Sequence, residues 1–274
     1  RHQRTFINMT IIQFMRVAFF RPMPKLNIWK TIYLNYKLLP IKQAVHFPIH
    51  LYGKWNFRMM NGTILIPTNQ VKCGAYKFGF DTAGYFTSLI NTLSLHTDST
   101  IELGEEVRIG QGVQICLYPK AVLKMGSFSS LGDNVKIVDY QSIIIGKRTD
   151  ITWDCQISDF NSHFILDSAT NKIFTICKPV QIGDYCWVCN KTVVMPGTKL
   201  PNRIIVASGS LLNRDYVKLE LPERSLIGGA PAKLIKSGLY RIYNRETENY
   251  LKDYFLTHPE ETVYVVTDQK SFAE

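Results

Sequence analysis

Aliphatic residues recur every six positions through the middle and second half of the chain. From Ile182, steps of six reach Val188, Val194, Leu200, Val206 and Leu212 without a break. Three shorter sets keep the same register: Leu103, Ile109, Ile115; Met125, Leu131, Ile137; Ile145, Ile151, Ile157. A period of six is neither the helix period of about 3.6 nor the alternation of a long strand. It predicts short strands joined by turns, stacked so that neighbouring units bury one continuous core.

Small and turn-forming residues accompany this aliphatic column. Four positions after the aliphatic residues stand Cys186, Thr192, Thr198, Ile204 and Ser210, of which four are small. Glycine directly follows several of the aliphatic positions: Gly104, Gly110, Gly126, Gly132 and Gly183. Asp133, Asn134 and Asp184 are expected at corners where the backbone takes left-handed angles, because Asn, Asp and Gly tolerate those angles.

The remaining segments differ in pattern and divide the chain. Residues 27–44 have apolar positions at partly helical spacing, interrupted by Pro40, and predict one or two helices. Residues 63–66 and 77–80 predict short strands, and residues 240–256 predict a helix. The expected organisation is an N-terminal helical and short-strand region (1–100), the repeat region (101–237) and a C-terminal helical tail (238–274).

Three segments resemble a known family. The repeat over roughly residues 100–237 resembles the hexapeptide repeat of the left-handed β-helix acyltransferases. Residues 179–190 (PVQIGDYCWVCN) and 227–236 (IGGAPAKLIK) resemble two signatures of its sugar O-acetyltransferases, with Cys189 in place of a glycine. Residues 159–163 (DFNSH) resemble the stretch that ends in the catalytic histidine of polysaccharide-modifying members, followed by an expected surface loop at 164–178. The implied fold is mainly β, a left-handed parallel β-helix with an N-terminal helical and strand extension and a C-terminal helix.

The resemblance also implies functional residues. His163 corresponds to the catalytic base, and Asp159 and Asn161 to acceptor-binding positions. The positions that correspond to coenzyme A contacts are Trp187, Asn190, Ser208, Asn213, Arg214, Lys233 and Lys236. The family further implies acetyl-CoA as co-substrate, a sugar hydroxyl of a surface polysaccharide or its precursor as acceptor, and a homotrimer with the cofactor groove between adjacent subunits.

The histidine content fits this chemistry. His163 is the only histidine between residues 97 and 257. A neutral imidazole can take a proton from a hydroxyl near pH 7, and Asp159 or a backbone carbonyl is expected to orient the ring. Some carbonic anhydrases of the same fold use three histidines around zinc, so a single histidine in the repeat region disfavours a metal-dependent lyase. We expect no metal in the site.

Composition limits the classes of expected partner but does not alter the predicted fold. The chain has 274 residues, of which 46% are hydrophobic, and a formal net charge of +10. Such a charge suits nucleic acid, an anionic membrane or a polyanionic ligand such as coenzyme A. No nucleic-acid motif accompanies it, so nucleic acid is not an expected partner. Six cysteines form no dense framework, and a cytoplasmic protein with free thiols is expected; the Cys186–Cys189 spacing has no second pair to complete a zinc site.

The first sixty residues leave one alternative open. They are rich in Lys, Arg, aromatic and long aliphatic residues, which suits peripheral contact with a membrane surface. No secretory signal is recognised, and the apolar stretch at 11–20 is too short to span a bilayer. The alternative function is therefore a non-catalytic β-helix module that docks on a glycan or a membrane.

Overall fold

The chain forms a three-sided coil of short parallel strands. The structure is a computed structural model that describes residues 25–80 and 89–266. Three parallel sheets form the three faces, and the chain passes from one sheet to the next at each corner. The apolar stretch at 11–20 lies outside the described residues.

Each sheet takes one strand from each successive coil. The first sheet contains β1 (Ile49–Leu51), β4 (Tyr76–Phe78), β7 (Arg108–Ile109), β10 (Ser130–Leu131), β13 (Asp150–Ile151), β18 (Trp187–Val188), β21 (Ile205–Val206), β23 (Ser225–Gly228) and the antiparallel β24 (Lys233–Ser237). The second contains β2 (Lys54–Met60), β5 (Ile90–Leu95), β8 (Gln114–Leu117), β11 (Lys136–Asp139), β14 (Gln156–Ser158), β19 (Val193–Val194) and β22 (Leu211–Leu212). The third contains β3 (Thr63–Leu65), β6 (Thr100–Leu103), β9 (Val122–Met125), β12 (Ser142–Ile145), β17 (Val180–Ile182) and β20 (Lys199–Leu200). A two-stranded hairpin, β15 (Leu166–Asp167) and β16 (Lys172–Ile173), lies outside the coil.

The sixfold aliphatic column becomes three stacks of side chains inside the coil. In the third sheet Leu103 pairs with Met125, and Ile145 pairs with Ile182, which pairs with Leu200. The other two sheets stack their aliphatic residues in the same way, and all of these side chains are buried. Full burial of one such side chain contributes about 1.5–3 kcal/mol. The fold class predicted from the sequence, mainly β with a left-handed parallel β-helix, is confirmed.

The small column closes the corners. The hydroxyls of Thr192, Thr198 and Ser210 are buried, and each donates to the carbonyl three residues earlier, at 2.7, 2.8 and 2.6 Å. A small hydroxyl side chain both fits inside the corner and satisfies a carbonyl that the strand ladder does not reach. This explains why the column favours Ser and Thr.

The corner conformations follow the sequence only in part. Asn134 has a φ of 58°, as predicted, but the left-handed residue of a later corner is Tyr185, with a φ of 55°, and not Asp184. The Asp184 carboxylate instead accepts a 2.8 Å hydrogen bond from the N–H of Lys147 on the preceding coil. Asp184 therefore links two coils, a role that depends on a neighbour far away in the sequence.

Glycine follows the aliphatic residue because adjacent coils touch there. A Cβ at Gly146 would lie 2.5 Å from the carbonyl carbon of Gly183, and one at Gly183 would lie 2.6 Å from that of Pro201. No real Cβ tolerates a backbone atom at that distance, so a side chain would push the coils apart. The glycines thus allow backbone-to-backbone stacking.

Two helices cover the N-terminal edge of the coil. They are α1 (Ile28–Leu38) and α2 (Ile41–Ala44), which confirms the helices predicted within 27–44. Asn35 is fully buried, and its side chain accepts from the N–H and donates to the carbonyl of Ile49 in the first strand. The Thr31 hydroxyl accepts from the N–H of Leu51 in the same strand. The inner face of α1 thus supplies the hydrogen bonds that a further strand would have made.

The coil begins earlier than the aliphatic repeat indicates. Strands β1 to β5 already belong to the three sheets, so the ladder starts at Ile49 and not at residue 101. The early coils lack a regular spacing: the β2–β5 register shifts between Phe57 and Met60, and aromatic side chains such as Trp55 and Tyr76 fill the core. The division into regions 1–100, 101–237 and 238–274 otherwise stays a prediction.

The C-terminal end is closed by a strand and followed by a helix. Strand β24 turns back along β23 and so shields the last edge of the first sheet. The final helix, α3, spans Arg245–Thr257, five residues later at its start than predicted, because Asn244 caps it by accepting from the N–H of Thr247 at 2.9 Å. No helix in the described ranges is long and apolar enough to cross a bilayer.

Candidate active site

A long excursion from the coil carries His163. After β14 the chain leaves the coil, and it returns at β17. The base of this excursion is held by an antiparallel bridge between Phe160 and Cys177 and by a 2.7 Å hydrogen bond from the N–H of Asn161 to the carbonyl of Ile176. The predicted surface loop at 164–178 lies within this excursion. The region 159–178 is called the catalytic loop below, because it carries the predicted catalytic histidine.

A cleft of about 250 Å³ opens between the catalytic loop and the next coil. Its walls are Asn161, His163, Ile165, Phe174, Thr175, Ile176, Lys178, Met195, Pro196 and Asn213. Three residues predicted from the sequence, His163, Asn161 and Asn213, therefore share one cleft. Sequence reasoning missed Lys178, whose only signal was its place directly before the 179–190 signature.

The His163 ring is exposed and unrestrained by its own chain. Among the residues that the structure describes, none hydrogen bonds to the imidazole. The sequence predicted that Asp159 or a backbone carbonyl would orient the ring, and neither does so here. Both ring nitrogens are accordingly open to a ligand or to another chain.

Asp159 makes backbone contacts that the sequence did not predict. Its side chain is fully buried, and its carboxylate accepts from three consecutive backbone N–H groups, those of Tyr140, Gln141 and Ser142, at 2.7, 2.7 and 2.8 Å. All three donors lie on the preceding coil, so Asp159 fastens the start of the catalytic loop to that coil. Asp159 does not line the cleft, and its contact with an acceptor stays a prediction.

A second buried carboxyl lies against Asp159. Burial, the charge of Asp159 and a side-chain hydrogen bond to Asp159 raise the pKa of Asp139 to about 8. Two adjacent buried carboxyl groups do not both ionise readily, so Asp139 keeps its proton at neutral pH. The protonated Asp139 supports the loop anchor from within the coil.

This pair makes stability depend on pH. The proton on Asp139 is retained to about pH 8 in the folded chain, whereas an unfolded Asp releases it near 3.8. Between these values the folded state holds one more proton, so stability falls as pH rises. Between pH 5 and 8 the wild-type chain should lose roughly 2–4 kcal/mol more than Asp139→Asn, because the Asn amide can donate to Asp159 at every pH. Urea unfolding at the two pH values measures the difference.

The exposed Asp253 of α3 provides the matched control for that comparison. Asp253→Asn should keep the wild-type pH dependence, since this residue is exposed to solvent. Equal pH dependence in wild type and Asp139→Asn would show that Asp139 does not hold a proton in the folded chain.

The predicted cofactor contacts lie on other parts of the surface. At the corner between the first and second sheets, the Ser208 hydroxyl donates to the Asn190 side-chain oxygen at 2.6 Å. Arg214 is exposed next to Asn213, beside the cleft. Lys233 and Lys236 are exposed on β24. The single chain brings Asn190 to Ser208 and Asn213 to His163, but it does not bring the whole set together.

Trp187 is covered by the segment that precedes α3. The Arg241 guanidinium lies 5.3 Å from the centroid of the Trp187 ring and pairs with the Asp150 carboxylate. Cation–π contact and the ion pair together hold this segment against the first sheet. No sequence signal pointed to Arg241, because its partners are far away in the chain.

The cysteines of the repeat act as packing groups. Burial raises the pKa of the Cys155 thiol to about 12 and that of Cys186 to about 12. Both thiols are therefore protonated and inaccessible, which disfavours a nucleophilic role.

Comparison with known proteins adds sequence relatives. The chain is 29% identical over 166 residues to the putative lipopolysaccharide biosynthesis O-acetyl transferase WbbJ of Escherichia coli K12, covering 58% of this chain and 80% of that protein. The chain resembles the hexapeptide-repeat O-acetyltransferases. This relationship confirms the predicted resemblance and the predicted enzyme class, an acetyltransferase.

The comparisons also find a second sequence relative and a solved structure of similar fold. A probable acetyltransferase of Mycobacterium tuberculosis is 30% identical over 140 residues, which cover 50% of this chain and 44% of that protein. The crystal structure of NeuO, a polySia-specific acetyltransferase, matches 80% of this chain and 91% of its own at 16% identity, with a TM-score of 0.49. No protein-family model matches the chain.

Proposed function

We propose that this chain is an O-acetyltransferase that transfers an acetyl group from acetyl-CoA to a hydroxyl of a surface-polysaccharide sugar or its precursor. The observation that carries the proposal is the cleft in which His163, Asn161 and Asn213 meet on a hexapeptide coil. The names of the sequence relatives from Escherichia coli and Mycobacterium tuberculosis support the acetyl group, and that of the former supports the acceptor class.

His163 acts as the general base. Bound acetyl-CoA would supply an acetyl group activated as a thioester. The exposed imidazole of His163 takes the proton from the acceptor hydroxyl as its oxygen forms a bond to the acetyl carbon. His163 then gives that proton to the sulfur as the carbon–sulfur bond breaks. Asn161 and Asn213, on either side of the cleft, are placed to hydrogen bond to the reacting groups.

The described residues suit coenzyme A in part. Lys233 and Lys236 are exposed and form no ion pair within the described ranges, so both are free to meet phosphates. The Asn190–Ser208 pair offers polar groups for an amide-rich arm. We keep Trp187 and Arg214 as proposed contacts, with Arg241 placed to share the Trp187 surface.

The complete site is formed between subunits of a homotrimer. Ligand pockets usually enclose about 300–1,000 Å³, so the 250 Å³ cleft holds the reacting groups and not a whole coenzyme. The catalytic loop also exposes five large apolar side chains by 53–68% each: Phe164, Ile165, Leu166, Ile173 and Phe174. Such a patch indicates an interface, and a second subunit here would bring the separated contacts towards His163.

Two measurements on the purified chain test this proposal together. Release of coenzyme A and acetylation of the acceptor, both followed by chromatography and mass spectrometry, should require a sugar acceptor. Sedimentation should give the mass of three chains. If the chain neither binds coenzyme A nor releases it in the presence of a sugar acceptor, the non-catalytic docking module is the better description of the protein.

The cellular placement follows from the same proposal. An enzyme that uses acetyl-CoA works where that compound is made, so we propose a cytoplasmic location. Peripheral contact with a membrane through the basic N-terminal region is a separate proposal that does not depend on acetyl transfer.

A further inference from the structure

The positive charge of the chain is concentrated at one end. Residues 1–80 contain twelve of the 32 Lys and Arg residues and none of the 22 Asp and Glu residues. The remaining residues therefore carry slightly more acids than cations, and the whole excess of +10 comes from the N-terminal eighty. An acid-free stretch of this length indicates an anionic partner.

The outer face of α1 carries large apolar side chains at the same end. Trp29, Tyr33 and Tyr36 follow a spacing of four and three, which puts them on one side of the helix. Trp29 is 82% exposed, and Tyr33 and Tyr36 are each nearly half exposed. The inner face of the same helix covers the first strand through Thr31 and Asn35. On the outer face Tyr33 stacks on Phe57 and Tyr36 lies edge-on to Phe47, whereas Trp29 makes no ring contact among the described residues.

Exposed cations and aliphatic residues extend this face. Lys37 and Lys42 are exposed on α1 and α2, and Ile28, Ile41 and Val45 are exposed beside them by 59%, 64% and 48%. We call Trp29, Tyr33, Tyr36 and these five neighbours the N-terminal face.

We propose that the N-terminal face docks on an anionic lipid bilayer. Aromatic rings seat at the headgroup level, aliphatic side chains enter the acyl boundary, and lysines pair with anionic headgroups. A soluble polyanion such as an acidic glycan or a nucleic acid would use the lysines but would gain nothing from Ile28, Ile41 and Val45. The combination of charge and apolar groups therefore selects the bilayer.

The position of the face leaves the active-site cleft open. Helix α1 covers the first coil, whereas the catalytic loop leaves the coil at β14, four strand spacings from β2 in the same sheet. At about 4.8 Å per spacing, the cleft lies roughly 20 Å along the coil axis from the docked end. Docking and acetyl transfer are therefore separate properties, and either can hold without the other.

Vesicle binding by the full chain tests the proposal. The amount of wild-type chain that co-sediments with vesicles of phosphatidylglycerol and phosphatidylcholine should be at least tenfold higher than with vesicles of phosphatidylcholine alone. Salt should weaken this binding. Two variants, Ile28→Ser/Trp29→Ser and Lys37→Glu/Lys42→Glu, should each lower the binding at least tenfold while keeping the wild-type melting temperature, because all four side chains are exposed.

Matched substitutions on α3 serve as controls. Tyr250 and Leu256 are comparably exposed apolar residues of that helix, so Tyr250→Ser/Leu256→Ser should bind like wild type. Equal binding of wild type and both N-terminal variants would overturn the proposal, as would binding to a soluble polyanion without binding to vesicles. If the chain's own residues 1–24 cover the face, the wild-type chain should not bind vesicles and Ile28→Ser/Trp29→Ser should lose stability; that result would also overturn the proposal.

Discussion

Replacement of His163 by Ala should lower acetyl transfer by about 10²- to 10⁴-fold while the chain stays folded. The side chain is exposed on the catalytic loop and makes no hydrogen bond within the described residues, so its removal costs little stability. It is also the only histidine among the residues that line the cleft, so no other imidazole can take over the proton. Coenzyme A release and acetylated product, measured together, give the rate.

An exposed histidine outside the cleft is the control for this variant. His46, next to α2, is exposed and far from the catalytic loop in the fold. His46→Ala should turn over like wild type, which separates loss of the base from loss of any surface imidazole. Near-normal turnover in His163→Ala, with an unchanged melting temperature, would exclude His163 as the base and leave the fold assignment intact.

Replacement of Asp159 by Ala should destabilise the chain by about 3–5 kcal/mol and also reduce turnover. The change leaves the buried N–H groups of Tyr140, Gln141 and Ser142 without their acceptor, each at a cost of about 1–3 kcal/mol before water enters. The start of the catalytic loop then loses its anchor to the preceding coil. Urea unfolding measures the stability, and limited proteolysis within 159–178 measures the loosening of the loop.

The same loop offers a matched control for Asp159→Ala. Asp167 also accepts three hydrogen bonds, from the N–H groups of Ala169 and Thr170 and from the Thr170 hydroxyl, but it lies at the exposed hairpin turn. Asp167→Ala should therefore lose much less stability, because water can replace the lost acceptor. Similar losses of stability in Asp159→Ala and Asp167→Ala would show that burial of the Asp159 carboxylate does not increase its contribution to stability.

Much of the fold could be predicted because the repeat is local. The period of six placed Ile182, Val188 and Val194 on successive faces, and the structure buries all three. The strands of the early coils were not predicted as part of the coil, because they have irregular spacing and aromatic core residues such as Trp55 and Tyr76. Hydrophobic periodicity reveals a strand only where units of equal length repeat.

The candidate site was predicted less completely than the fold. The family resemblance of the 159–163 motif singled out His163 and Asn161, and the structure places both in the cleft. The same motif suggested an acceptor contact for Asp159, because an acidic residue beside a histidine has the same local pattern whether it binds ligand or backbone. Its three N–H donors come from the preceding coil, and only the stacking of coils reveals them.

The sequence by itself determined the coil and its stacked aliphatic core, because these depend on the spacing and type of residues close together in the chain, and the family resemblance of one short motif singled out the histidine of the cleft. Only the tertiary structure decided that Asp159 is an anchor, that Asp139 keeps a proton beside it, and that Arg241 covers Trp187. Each of these depends on contacts between residues far apart in the chain. Such contacts exist only once the coils have stacked, and no local pattern encodes them.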